Sequence, residues 1–396
     1  MIQNYSQIIQ MLRRCMIWEW CFFIFLLSLW HIYKLKQKIM KAKILLIAVL
    51  LTGALKGAAQ NDVALATLQH GDEVSVFKGP GALANALAAA DEGGGDVITL
   101  SEGVFTSTDI TKPVSIYGAG YKTNEATGTL QTEINGDLTV GRSDNELLSN
   151  VHLEGLYVNG CLYVGGIFAK GPLSNFRVEK SHIMSVKVRS TNSNTSFDQC
   201  IIDGVMDCES NDVCYKGIIA DLYFSNCVMN LGRIRYYFHV DSSVVLDHCI
   251  FNVYCTSTNS YGVYWPFEYS HVRLLTLRNT IYVVSPSSQL SGSYTRWPSG
   301  SKIKNCISDD ANIVNFENCY YVGRAEIFKD GEDGSYSYER TYELNQPSVW
   351  LDTDGNEIGL HGGNGWSKVP STPVVKNMSV TPDGTNLNVT YEAEVR

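Results

Sequence analysis

Charge is scarce in this chain, and basic charge most of all. Of 396 residues, 18% are charged, with 31 Lys or Arg against 40 Asp or Glu. The formal net charge of −9 argues against nucleic acid and anionic membranes, because both need a basic footprint. Long amphipathic helical patterns are nearly absent, which turns the fold class away from helical bundles. No GxSxG, HExxH, P-loop or GxGxxG context occurs, so the sequence motifs of serine hydrolases, zincins and nucleotide binders are missing. The 11 cysteines come without a CxxC pair or a His-x-x-x-His, so no metal ligand set is read from spacing.

What the chain does have is a recurring phrase: apolar, any, apolar, two polar, one small anchor, any, apolar. It reads Phe176-Arg177-Val178-Glu179-Lys180-Ser181-His182-Ile183 and Leu222-Tyr223-Phe224-Ser225-Asn226-Cys227-Val228-Met229. It returns as Val244 to Phe251, Leu275 to Tyr282 and Val314 to Tyr321, with weaker copies around Leu156 and Cys200. Each copy is a short strand, a corner and the start of the next strand. One copy cannot bury its apolar side alone, whereas stacked copies share one core. The strand period of two makes the stack a β-solenoid.

The anchors Leu156, Ser181, Cys200, Cys227, Cys249, Thr280 and Cys319 lie 25, 19, 27, 22, 31 and 39 residues apart. One circuit of a wide parallel coil needs roughly 20–25 residues at about 3.3 Å each. The longer gaps therefore read as circuits with inserted loops. Cys306 imitates an anchor but stands 13 residues before Cys319, too close for a circuit, and is placed on another face or in a loop. The anchor cysteines read as inward-packed small hydrophobes. A Cys208–Cys214 disulfide across a loop stays open.

Met40-Lys41-Ala42-Lys43, the apolar run Ile44 to Leu55 and Gly57-Ala58-Ala59 form a secretory signal over 40–59, with cleavage expected near Ala59–Gln60. Residues 1–39 then read as an upstream extension that is not part of the natural product. The alternative is a membrane anchor at about 15–33 with Arg13 and Arg14 inside. Without residues 1–59 the balance becomes 23 basic against 39 acidic, a net of −16, consistent with a secreted, periplasmic or cell-surface protein. Ala82 to Ala90 is the clearest helix, stopped by Gly93-Gly94-Gly95, and is expected to cap the first open circuit. The body is expected over 60–350. A C-terminal β tail follows over 351–396, ending in a hairpin around Pro382-Asp383-Gly384 with Met378, Val380, Leu387, Val389, Tyr391 and Ala393 on one face.

After the helix come Asp96-Val97-Ile98-Thr99-Leu100-Ser101-Glu102-Gly103-Val104-Phe105 and Lys112-Pro113-Val114-Ser115-Ile116-Tyr117-Gly118-Ala119-Gly120. This stretch resembles the opening of secreted bacterial right-handed parallel β-helix proteins of the pectin-lyase-like superfamily. The resemblance covers about 75–120 well and extends loosely to about 322. It implies an all-β, right-handed parallel β-helix with an N-terminal helical cap. It leaves activity open, because that fold carries lyases, hydrolases, adhesins and non-enzymes.

The candidate binding face is Arg233-Ile234-Arg235-Tyr236-Tyr237-Phe238-His239. Period two puts Arg233, Arg235, Tyr237 and His239 on one side, and the next circuit should bring Tyr264, Trp265 and Glu268 beside them. Guanidiniums fork carboxylates and rings cover apolar sugar faces, a combination suited to an acidic glycan. By the resemblance, a basic residue beside such a carboxylate is how β-helix lyases work. Asp309-Asp310 is similar to the paired aspartates of polygalacturonase-type hydrolases, but the other motifs of that family are missing. Asp352-x-Asp354-Gly355-Asn356-Glu357 offers oxygens to calcium without the full twelve-residue ligand spacing, and a plain acidic turn explains it as well. No other cofactor is implied. The first functional expectation is carbohydrate binding along one solenoid face. A polysaccharide lyase or glycoside hydrolase, and a structural or adhesive surface protein, are the alternatives.

Overall fold

The structure, a computed structural model, describes residues 64–123, 130–166, 170–208, 218–234, 241–253, 274–284, 300–331, 337, 339–370, 374–383 and 386–394. Side chains are described for these except at 205–208, 231–234, 253, 274, 284 and 374–394. The expected leader, the 1–39 extension and the Cys214 half of the open disulfide lie outside the described residues.

The fold is all-β, with long parallel sheets. The first sheet runs through Asp96–Leu100, Val114–Tyr117, His152–Glu154, Arg177–Glu179, Thr195–Asp198, Asp221–Ser225, Ser243–Asp247, Leu274–Arg278 and Lys302–Lys304. The second runs through Gly103–Thr106, Thr132–Asn135, Tyr157–Val164, His182–Val188, Ile201–Cys208, Val228–Ile234, Ile250–Val253, Ile281–Val284, Ile307–Ser308 and Tyr320–Tyr321. A third, short sheet joins Leu148–Ser149, Leu173–Ser174 and Asn192–Ser193. The chain visits these sheets in rotation. Helix Ala82–Ala89 buries Ala82, Leu83, Ala86 and Leu87 against the start of the stack, as a cap must.

Register explains the core. In the first sheet Ile98, Ile116, Leu153, Val178, Phe197, Phe224, Leu246, Leu277 and Ile303 are successive Cα partners, and all are buried. Such a column buries each side chain on the one before. Phe197 and Phe224 stack with ring centroids 4.8 Å apart.

The corner between the two long sheets turns on one residue of positive φ per circuit: Gly155, Lys180, Gln199, Asn226, His248, Asn279, Asn305 and Asn318. Asn tolerates this region better than most residues and also bonds its neighbours. Asn318 Nδ2 donates to Asn305 Oδ1 at 2.8 Å, and Asn305 Nδ2 to Asn279 Oδ1 at 2.9 Å. The anchors follow at once and are inward, as expected. Their chemistry is richer than small hydrophobes. Each thiol or hydroxyl reaches the carbonyl two residues back, as in Ser181 Oγ to Glu179 O at 2.7 Å and Cys227 Sγ to Ser225 O at 3.2 Å. Ser181, Cys227, Thr280 and Cys319 also accept from the previous anchor's amide, as Cys227 Sγ does from Cys200 N at 3.4 Å.

Cys306 corrects the sequence reading. It is fully buried in the anchor column, and Ile307 pairs with Ile281. Cys319 stacks on it, with Cys306 N donating to Cys319 Sγ at 3.3 Å. The 13-residue step closes because Val314–Phe316 is not a strand. Ala311–Asn315 is a 3-10 helix, whose N-terminus Asp310 caps by accepting from Asn312 N at 3.0 Å. A 3-10 helix advances only about 2.0 Å per residue against about 3.3 Å for a strand, so this last step is a short connection and not a full circuit.

The segment Tyr342 to Pro370 lies over the outside of the second sheet. There Ile201, Val228, Ile250, Ile281 and Ile307 form an outward apolar column by register. Tyr342, Leu344, Trp350, Ile358 and Leu360 pack on it with Ile327 and Phe328. Val374–Asp383 and Asn386–Glu394 form the expected antiparallel hairpin, with Val380 opposite Val389 and Met378 opposite Tyr391. Among the described residues no helix is long and apolar enough to cross a membrane.

Candidate functional site

The face expected from sequence falls largely outside the described residues. Arg235, Tyr237, His239, Tyr264, Trp265 and Glu268 are not described, and of Arg233 only the backbone is, paired with Val205 in the second sheet. The two carboxylate pairs weighed from sequence have structural partners. Asp309 pairs with Arg324 at 2.8 Å while Asp310 caps the 3-10 helix. Asp352 Oδ1 accepts from the amides of Asp354 and Asn356, both at 2.8 Å, so the acidic run is a self-closed turn.

A long polar surface among the described side chains is the outer face of the first sheet. The inward apolar column fixes what faces out, one residue to either side. On one flank register aligns Tyr117, Glu154, Glu179, Asp198, Ser225, Asp247, Arg278 and Lys304. On the other it aligns Ser115, His152, Arg177, Ser196, Tyr223, Val245, Thr276 and Lys302. Rings and guanidiniums thus stand beside a row of carboxylates at the strand spacing of about 4.8 Å.

Three stations along this face differ in electrostatics. At the first, His152 Nε2 lies 3.6 Å from Glu179 Oε2 and 3.9 Å from Glu154 Oε2, with Arg177 paired to the other oxygen of Glu179. Burial pushes the Glu179 carboxyl up, but the His152 contact and the Arg177 charge outweigh it and hold it below its ordinary value. At the second, Ser225 Oγ donates to Asp198 Oδ1 at 2.5 Å, yet burial prevails and Asp198 is raised. At the third, Asp247 gathers His248 Nδ1 at 2.9 Å, Tyr223 OH at 2.9 Å, Arg278 Nη2 at 2.8 Å and Asn279 Nδ2 at 3.0 Å. Burial opposes its ionisation, but these partners bring it down to about 2. Arg177 and Arg278 remain about half exposed or more, so their outer edges reach solvent above the acids.

A second polar group sits on the second sheet. His182 Nε2 is 2.6 Å from Asp203 Oδ2, and Asn230 Nδ2 donates to Asp203 Oδ1 at 2.9 Å. Tyr121 and Tyr157 pack against the imidazole. Its neighbours are largely buried rings and amides, which suits a structural link better than a site open to substrate.

The sequence reading missed the first-sheet face, although its signal was in the repeated phrase. The first of the two polar positions, filled by Glu179, Ser225, Asp247 and Arg278, is the outward column; the second turns the corner. Comparison with known proteins finds no matching family model, no matching curated protein and no matching solved structure.

Proposed function

We propose that this chain is a secreted right-handed parallel β-helix of the pectin-lyase-like kind that binds a glycan along the outer face of its first sheet. The rotation of the chain among parallel sheets supports the fold, as does the strong preference of parallel crossovers for the right hand. The observation that carries the function is the pair of in-register outward columns. A rigid face repeating donors, acceptors and rings at one strand spacing fits a ligand that is itself a polymer of hydroxyls. The run Glu154, Glu179, Asp198 and Asp247 favours neutral sugars over the acidic ones expected from Arg233 and Arg235. The stretch with Arg233, Arg235, Tyr237, His239, Tyr264, Trp265 and Glu268 is proposed as a further part of the binding surface.

A glycan array on the purified protein, followed by titration of Arg177→Ala and Arg278→Ala, tests this reading. Each arginine is about half exposed but pairs with a largely buried acid, so some loss of stability is expected, and thermal melts run beside the titrations separate it from loss of binding. Loss of a charge-assisted contact should weaken binding by roughly ten- to a hundredfold, about 1.5–3 kcal/mol. No binding to any glycan, or binding by both variants as tight as the parent's, refutes it. A hydrolase is the second reading. Neighbouring Glu179 and Asp198 carry carboxyls shifted in opposite directions, the pattern of a base beside an acid. Release of reducing ends from a bound glycan, abolished in Asp198→Asn, would establish it.

A further inference from the structure

We propose that His152, Glu154 and Glu179 form a binding site for a divalent first-row transition ion, zinc in the first place. His152 and Glu154 stand two apart on one strand and so share its outer face. Glu179 is the Cα partner of Glu154 on the next circuit. Their donor atoms, His152 Nε2 and one oxygen of each carboxylate, all lie within 4.8 Å of one another.

The individual distances are informative. His152 Nε2 is 3.6 Å from Glu179 Oε2 and 3.9 Å from Glu154 Oε2. Both are beyond hydrogen-bonding reach. Two ligands on one tetrahedral zinc, at bonds of about 2.0–2.2 Å, stand about 3.3–3.6 Å apart, so the Glu179 gap fits as it stands and the Glu154 gap closes with a few tenths of an ångström of side-chain movement. The gaps therefore suit a bridging ion better than a shared proton. A separate observation points the same way. His152 Nε2 is closed off from solvent and has no hydrogen-bond partner, although it is the ring atom that faces the carboxylates. A buried imidazole nitrogen without a partner is costly unless something binds it.

The surroundings hold the three groups in place. Arg177 is ion-paired with Glu179 Oε1, leaving Oε2 turned to the imidazole. Tyr117 packs edge-on to the His152 ring, with centroids 5.3 Å apart at 87°. Outer contacts of this kind orient metal ligands. One imidazole with two carboxylates favours zinc and its first-row neighbours over calcium or magnesium, which prefer all-oxygen sets. Three protein ligands leave a fourth position for water or a sugar hydroxyl. The site stands independently of the glycan reading, and its test contains no sugar.

The full-length secreted protein, stripped with chelator, is titrated with zinc chloride by calorimetry in a Cys319→Ser background that removes the one partly exposed thiol among the described cysteines. The expected result is one equivalent of zinc and a raised melting temperature. In His152→Gln and Glu179→Gln, zinc affinity should fall by at least the roughly 10–100-fold that even an outer-shell change costs, and the melting shift should vanish. Circular dichroism shows that each variant is folded. His152→Gln is the decisive variant, since Glu154 is buried and its replacement risks the fold. Absence of zinc uptake, uptake unchanged in both variants, or displacement of zinc by equimolar calcium would each overturn the assignment.

Discussion

Asn226 links the corner of the coil to the segment that covers it, and its replacement separates two physical effects at one position. Its φ is 47°, and its side chain is buried. Nδ2 donates to Leu360 O and to Gly362 O, both at 2.8 Å. Leu360 and Gly362 are themselves buried, so the two carbonyls lose their Asn226 donor if the amide is removed. At about 1–2 kcal/mol for each, Asn226→Gly should cost about 2–4 kcal/mol while leaving the backbone unstrained. Asn226→Ala loses the same bonds but keeps a Cβ in the left-handed region, which Gly lacks, and should therefore cost about 1–2 kcal/mol more than the Gly variant. Chemical denaturation of the three proteins gives the totals. Limited proteolysis should show cleavage within 342–370 in both variants before the parallel sheets are attacked. If both variants match the parent in both assays, the covering segment is not held through Asn226. If Gly and Ala are equal, the left-handed corner carries no strain.

Asp247 is held at about 2 against an ordinary 3.8, so its contribution to stability is present above pH about 4 and is lost as the pH falls toward 2. Asp247→Asn should flatten the denaturation midpoint over that interval, and an unchanged slope would refute the role given to its partners. Among the described cysteines Cys319 alone is partly exposed, and the nearby Cys306 thiol lowers its pKa, whereas burial raises those of Cys227 and Cys306. Thiol labelling without denaturant should therefore modify Cys319 while Cys200, Cys227, Cys249 and Cys306 stay protected; rapid modification of any of those four, mapped by mass spectrometry, would break the column. Gly165 has φ 94°, and a Cβ there would meet Ser190 Oγ at 1.8 Å. Gly165→Ala should lower the melting temperature markedly, and a neutral result would show that the two circuits are not this close.

The parallel stack was legible because each copy of the phrase states its own circuit. The apolar positions of Phe176 to Ile183 and of Val244 to Phe251 are those that point inward, and Ser181 and Cys249 stand where the corner closes. The helix Ala82–Ala89 was legible from composition and its glycine stop. What escaped was the closing of the last circuit, because a phrase read by apolar pattern cannot distinguish Val314-Asn315-Phe316 as a strand from a helical turn capped by Asp310. The role of thiols as donors escaped too, since a buried cysteine reads as a small hydrophobe until its sulfur is seen 3.2 Å from Ser225 O.

The covering segment was hidden for a different reason, and the reason bears on the candidate site. Tyr342, Leu344, Trp350, Ile358 and Leu360 follow no period, because a segment laid across a sheet follows that sheet's contour and not its own repeat. Its trace lay in the position just after each anchor, where the phrase tolerates any residue. There Ile201, Val228, Ile250, Ile281 and Ile307 are β-branched and apolar in successive circuits, on the side a bare sheet would turn to water. A column so uniform requires a cover. The outward column of the first sheet shows the contrary pattern: Glu154, Glu179, Asp198, Ser225, Asp247 and Arg278 change in charge and hydrogen bonding from circuit to circuit. Positions free of the core's demands have thus diverged into an apolar column that is covered and a polar face whose arginines, Arg278 in this column and Arg177 on the other flank, reach solvent. The glycan binding proposed above would fall on this face, so Arg177 and Arg278, and not the buried anchors, are the residues to change first.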